Sequence, residues 1–467
     1  MIGILLTLVA VWLFIFRSYY FSLLIFCGLV TFGFLIIPPA VLLYGAPFEK
    51  TSDLAIFYIL AIIVSHYKTI QRVVNSEKLF KWIFIFLGFV LIDAIYSYQV
   101  LGYNLSGVLK VSRHYLFFLS FGVFILVPFP ILTRLLHTIF IITVLQSVLF
   151  LLQIPTGTIL LGDANNVVVN NMEQIGWVRY YNTPLYLIPS LFYFLFIYKH
   201  QSKLIYWIIA GILLATVVAP MHRLYILTVA LVISVYLIFR QSNSNKAIYL
   251  SLLLLAGYGA LLIDPVSSRL NVGLNDISKT FATGRSLAAT DYDAEDTFAY
   301  RMAHLFERAN YIQQKPERII FGIGLLSEET KQAENLRFEA GLYNERIGRV
   351  AQVNTSDIAW SLLILHLGFF GTGLFIVLNI CFIRFFYRNR TRLIGILGIL
   401  TLSVTLLTSF TGTELLMIHF RVFLLLMSVI SLQENKLSYI QNNIHLDRMK
   451  GPVVDSPIRV TQTINLI

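Results

Sequence analysis

The chain has 467 residues, 57% of them hydrophobic and only 13% charged, with a mean hydropathy of +0.77. So little charge cannot coat a soluble body of this size, which excludes a soluble globular enzyme. The net charge of +11 reads as basic residues gathered in inner loops, where they orient a membrane protein, and not as a nucleic-acid surface.

The first apolar run, "MIGILLTLVAVWLFIF", has neither a basic leader nor a small-residue cleavage site, so it is expected to be a retained span. Further apolar segments follow near 21–43, 54–66, 79–98, 108–128, 135–154, 183–198, 204–219, 224–239, 247–263, 356–383, 393–409 and 412–432. Each approaches the roughly 20 residues that cross a hydrocarbon core, and together they predict roughly 12–14 transmembrane helices. The expected fold is an all-α polytopic membrane protein. Residues 1–263 carry the N-terminal helices, 264–354 a large extracytoplasmic loop folded as a small helical cap, 355–432 the C-terminal helices and 433–467 a polar cytoplasmic tail.

Short loops with Lys68, Arg72, Lys78 and Lys81, with Lys199 and Lys203, with Arg240 and Lys246, and with Arg384, Arg388, Arg390 and Arg392 fall on one side when the spans alternate. Basic loops mark the cytoplasmic side, so 44–52, 156–182, 220–223 and 264–354 are expected outside. Cys27 and Cys381 both sit in apolar runs and read as core filler.

In chain order, the polar groups among the spans begin with Asp93. Lys110, Arg113 and His114 open the next span and either anchor it at the headgroups or add to an anion site. Trp177, Tyr180 and Tyr181 fit an interfacial belt or a surface for stacking sugar rings. Arg223 opens another span from outside. It either snorkels or holds an anion, since guanidinium pairs bidentately with phosphate and keeps its charge. "DYDAED" offers Asp291 and Asp293 as a metal-gripping pair, but a solvated acidic loop is the preferred reading. "DTFAYRMAHLFERANYIQQ" carries Phe298, Met302, Leu305, Phe306, Ala309 and Ile312 at helical spacing, which predicts an amphipathic cap helix. Arg301 lies on it. "KPERIIFGIGLL" predicts a turn, a short apolar segment and a glycine turn. Asp357 could serve as a base or merely cap the helix after it. His366 falls within that span. Gly368, Gly371 and Gly373 permit close helix packing. Glu414 and Arg421 are expected to pair with each other or with a neighbouring helix.

The order "MHRLYILTVALV", then a long outer loop with "YRMAHLFERANYIQQKPERIIFGIGLL", then "NTSDIAWSLLILHLGFFGTGLFIVL", resembles the O-antigen polymerase and O-antigen ligase superfamily over roughly residues 180–410. The matching positions are Arg223, Arg301, Pro316, Gly322, Gly324, Asn354, Asp357, Gly368 and Gly371. The resemblance implies glycan transfer from an undecaprenyl-diphosphate carrier at the outer face of the bacterial inner membrane. It implies Arg223, Arg301 and Asp357 as catalytic residues, with Lys110, Arg113, Tyr181, Gly322, Gly324 and Asn354 binding substrate. No metal or cofactor is implied. The implied partners are lipid-linked glycans, the bilayer, chain-length regulators and flippases. The ligases carry a His just before the span that follows the outer loop; here Val353 and Asn354 stand instead, which favours a polymerase. A flippase is the rival from another class, although it should show two related halves with matching interrupted helices.

Overall fold

The computed structural model describes residues 1–45, 48, 50–162, 169–172, 177–198, 203–220, 222–240, 297–341, 343–344, 348–353 and 358–449. The predicted span at 247–263, the acidic pair Asp291 and Asp293, and the candidates Asn354 and Asp357 lie outside the described residues, as does the side chain of Arg223.

The described chain is built almost wholly from helices, as the apolar runs predict. Helix α1 (Ile2–Ile15) precedes α2 (Tyr19–Val30), α3 (Pro39–Leu43), α4 (Thr51–Ser76), α5 (Lys78–Gln99), α6 (Leu105–Leu116), α7 (Ser120–Phe124) and α8 (Phe129–Thr156). A short antiparallel pair, β1 (Val169–Met172) with β2 (Trp177–Tyr180), leads to α9 (Leu187–Phe196), α10 (Lys203–Val218) and α11 (Arg223–Arg240). The cap holds α12 (Thr297–Gln313), α13 (Pro316–Phe321), α14 (Lys331–Glu334) and the two-residue pair β3 (Tyr343–Asn344) with β4 (Arg349–Val350). Helices α15 (Ala359–Arg388), α16 (Leu393–Thr408) and α17 (Ile418–Met449) follow. Among the described residues, α4, α5, α8 and α15 are long and apolar enough to cross a membrane, and six shorter apolar helices accompany them. Cys27 is buried, Cys381 is half-buried, and both are free thiols.

Three expected elements differ in form. The run predicted as one span at 21–43 is two helices with a break between them, where Phe32, Gly33, Phe34 and Leu35 all take positive φ. Pro38 and Pro39 force this, because a helix does not run through a residue that precedes proline. The freed backbone is recovered by neighbours: Gln146 donates through its side-chain amide to Phe34 O, and Gly162 N donates to Leu35 O at 2.6 Å. Helical breaks at membrane depth persist only with such partners. The run at 108–128 is α6 and α7 joined by a 3-10 turn at Phe117–Leu119. The polar segment expected to begin at 433 is instead a continuation of α17 as far as Met449.

The amphipathic cap helix is present as α12, with its buried face turned from the predicted one. Ala303, His304, Arg308 and Ile312 are the buried positions, while Phe306 is 54% exposed and Met302, Leu305 and Ala309 are half-buried. Apolar spacing alone misplaces the face because two polar side chains, His304 and Arg308, are held inside by hydrogen bonds. His304 Nδ1 lies 2.8 Å from Ser361 Oγ on α15. Arg308 is fully buried, donates to Glu307 Oε2 at 2.7 Å and to Gln352 O at 3.4 Å, and lies over the Phe338 ring at 4.4 Å. Glu328 completes this lattice by accepting from Gln352 N at 3.1 Å and Val353 N at 2.6 Å.

The cap is seated on the bundle through backbone. Ile323 N donates to Leu365 O at 2.8 Å, Tyr103 Oη to Ile323 O at 2.8 Å, and Leu325 N to Ser97 Oγ at 2.8 Å. His366 Nε2 meets Leu326 O at 3.1 Å. The seat depends on two glycines. At Gly322 (φ +62°) a Cβ would stand 2.2 Å from Leu365 O, and at Gly368 (φ +64°), where α15 is broken, 2.6 Å from Arg318 O. Gly371 has the packing role expected of it, against Phe89, whereas Gly373 faces open space.

Candidate functional site

A cleft of about 430 Å³, counting its open mouth, lies where α9, α11, α16 and the start of α17 meet. Its polar groups are Glu414, His419, Tyr225 and three threonines of α16, Thr401, Thr405 and Thr408. Ile188, Val404, Phe420 and Phe423 supply apolar wall. One part of the cleft can therefore take charge and another hydrocarbon.

Local sequence explains each polar group. His222 caps α11: Tyr225 N donates to its Nδ1 at 3.4 Å and Ile226 N to its carbonyl at 3.1 Å. This sets the first turn of α11, with Arg223 as its first residue, so that Tyr225 lines the cleft. Glu414 opens a 3-10 turn, Glu414–Leu416, between α16 and α17. Ala359 N holds the approach to this turn by donating to Ser409 O at 3.3 Å and Gly412 O at 3.1 Å. Gly412 leaves room for the carboxylate, since a Cβ there would stand 2.3 Å from Glu414 Oε2. Burial pushes the Glu414 carboxyl above the ordinary carboxylate range; its own backbone N–H and the Arg301 guanidinium pull it back. The half-buried Arg301, on the first turns of α12, is thus within electrostatic reach of the cleft. Both α11 and α17 begin at this cleft, which adds two positive helix ends.

The predicted site residues separate into two sets. Arg301 acts on a carboxylate of the cleft, and α11 starts beside it with Arg223. Lys110, Arg113, Tyr181, Gly322 and Gly324 do not line it. Lys110 bridges to Glu329 of the cap at 2.6 Å, and Arg113 Nη1 to Asp53 Oδ1 of α4 at 2.6 Å. Both basic groups tie α6 to its neighbours, the anchoring alternative in another form. Tyr181 is 41% exposed, while Tyr180 is buried with Phe150, Leu161 and Ala219 instead of standing in an interfacial belt. Gly322 and Gly324 are buried seats of the cap; a Cβ at Gly324 would meet Ser97 Oγ at 2.4 Å.

Arg421 does not pair with Glu414. Met417 is extended between the 3-10 turn and α17, so the two residues do not share a helical face. Arg421 is buried against α6, donating to His114 O and lying 5.0 Å from the Tyr115 ring centre. Asp93 is also buried, and both its carboxylate oxygens are without a hydrogen-bond partner among the described residues.

Sequence reasoning missed the part of Glu414 in the cleft and the buried lattice around Arg308. The glycine two positions before Glu414 in "TGTELL" is the one local signal for the first. No protein-family model and no curated protein matches the chain. Its functional reading therefore rests on residues and geometry.

Proposed function

We propose that the chain polymerises undecaprenyl-diphosphate-linked oligosaccharide repeat units at the outer face of the bacterial inner membrane. The observation that carries this reading is the cleft, on which the first turn of α11 and the charge of Arg301 converge. A lipid diphosphate has the matching chemistry: a headgroup with concentrated negative charge and a long hydrocarbon tail. Guanidinium groups and positive helix ends stabilise the charge that grows on a departing diphosphate. The apolar wall of Ile188, Val404, Phe420 and Phe423 suits the isoprenoid. The donor already carries its leaving group, so the reading calls on no metal or nucleotide.

The growing glycan leaves its carrier and joins the non-reducing end of another lipid-linked unit. Arg223 and Arg301 hold the diphosphate, and Asp357 and Asn354 remain the sequence's candidates for the acceptor side. The bilayer, chain-length regulators and flippases are the partners this reading brings. The test uses the full chain in lipid nanodiscs, with repeat units on undecaprenyl diphosphate extracted from cells lacking the chain. A ladder of longer lipid-linked products is expected. Transfer only to a different acceptor identifies a ligase instead. Passage of the units across liposomes without new glycosidic bonds identifies a flippase.

A further inference from the structure

The polymerase reading leaves open which group removes the proton from the acceptor hydroxyl. We infer that Glu414 is this general base, placed by its 3-10 turn so that its carboxylate lines the cleft beneath Arg301. The inference rests on the polymerase reading above and adds a residue that the motif resemblance does not contain.

The argument begins with position. Among the described residues Glu414 is the one carboxylate lining the cleft, and the elements around it contribute different chemistry. Arg301 of α12 and His419 of α17 bring basic side chains, Tyr225 of α11 and Tyr186 beside α9 bring phenols, and Thr408 of α16 a hydroxyl. Gly412 keeps a side chain from occupying the space of the carboxylate, and Ala359 N fixes the loop that presents it. Two influences then tune it in opposite directions. Burial raises its proton affinity and Arg301 lowers it. A base is most effective when its affinity lies near working pH while its charged form stays populated.

The step is balanced without a further reactant. The acceptor hydroxyl oxygen bonds to the anomeric carbon of the donor as the bond from that carbon to the diphosphate oxygen breaks. The bonding pair leaves with the diphosphate, facing Arg223 and Arg301. The hydroxyl proton passes to the Glu414 carboxylate and is later released to water.

The experiment compares wild type, Glu414→Gln, Glu414→Asp and Asp357→Asn in nanodiscs, on the extracted undecaprenyl-diphosphate repeat units, across pH. Bound lipid-linked donor is quantified by native mass spectrometry. Loss of a general base lowers turnover by roughly 10²- to 10⁴-fold, so Glu414→Gln is expected to turn over that much more slowly with donor binding retained. The wild-type rate is expected to rise with pH through a limb above the ordinary carboxylate range. Glu414→Asp should restore part of the rate and move that limb to lower pH. If Glu414→Gln fails to fold, the position of the Glu414→Asp limb decides the matter alone, and an unmoved limb overturns the inference. Turnover of Glu414→Gln within about threefold of wild type, parallel loss of donor binding, or disappearance of the limb in Asp357→Asn but not in Glu414→Gln also overturns it. A wild-type chain that forms no ladder overturns the polymerase reading itself, and the role of Glu414 with it.

Discussion

Arg301 and Arg308 lie two turns apart on the same face of one helix, yet their surroundings differ in kind. Arg308 is sealed inside the cap by a carboxylate, a backbone carbonyl and an aromatic ring, and the nearby Glu328 is engaged by two backbone donors. Arg301 sits at the other end of the stripe, where the carboxylate it acts on borders a cleft. The first arginine holds the cap's own loops together. The second stands where a ligand would be. Charge and helix position are nearly shared, so the difference lies in what the remaining chain folds around each.

The comparison can be broken by substitution. Arg308→Ala should have the largest effect on stability, about 3–5 kcal/mol, because removing one partner of a buried pair strands the other. Thermal melting with hydrogen exchange across α12 and residues 349–353 would measure it; a loss below about 1 kcal/mol would show the lattice to be dispensable. Arg301→Ala should leave melting nearly unchanged while lowering polymer formation by roughly 10²- to 10³-fold, the usual cost of removing one transition-state donor. Arg223→Ala should behave in the same way. A variant that melts early and polymerises at the wild-type rate would reverse the assignment.

Gly322→Ala sharpens the comparison from the backbone side. The left-handed conformation alone costs a side chain about 1–3 kcal/mol, and the new Cβ meets Leu365 O at 2.2 Å. Melting should show the cap loosening from α15, with protection lost at Ile323 and Leu325. The smallest effect is that of pH at His304. Burial, with Arg308 adding to it, lowers its imidazole from 6.5 to about 3. The folded cap therefore holds a neutral ring, so its stability is full above pH 6.5 and falls as pH drops from there toward 3. The slope is at most about 1.4 kcal/mol per pH unit, and His304→Gln should flatten it in melts taken between pH 7 and 5.

The long apolar helices were legible because membrane length and hydropathy are properties of composition, and α5, α8 and α15 fall close to the predicted runs. The cap helix and the glycine turn at 322–324 were legible from spacing and from glycine itself. The break at 31–38 was not. Phe32, Phe34 and Leu35 are unusual residues for positive φ, and what steadies them comes from Gln146 and Gly162, distant in sequence. The buried face of α12 was hidden for a related reason. Apolar periodicity assumes that charges face water, whereas Arg308 and His304 face inward because their partners come from residues 307, 352 and 361. Glu414 escaped notice as a site residue because its setting is assembled by α9, α11, α12 and α16, and no local pattern spans them.

The seam between Gly322 and Gly368 has a consequence for access. Raising the cap would rupture, all at once, the bonds from Ile323 to Leu365, Tyr103 to Ile323, Leu325 to Ser97 and Leu326 to His366. A roof riveted in this manner is no trapdoor. Whatever reaches the chamber under it travels sideways between neighbouring helices, a route open to a greasy molecule already dissolved in the bilayer and closed to a free sugar arriving from water.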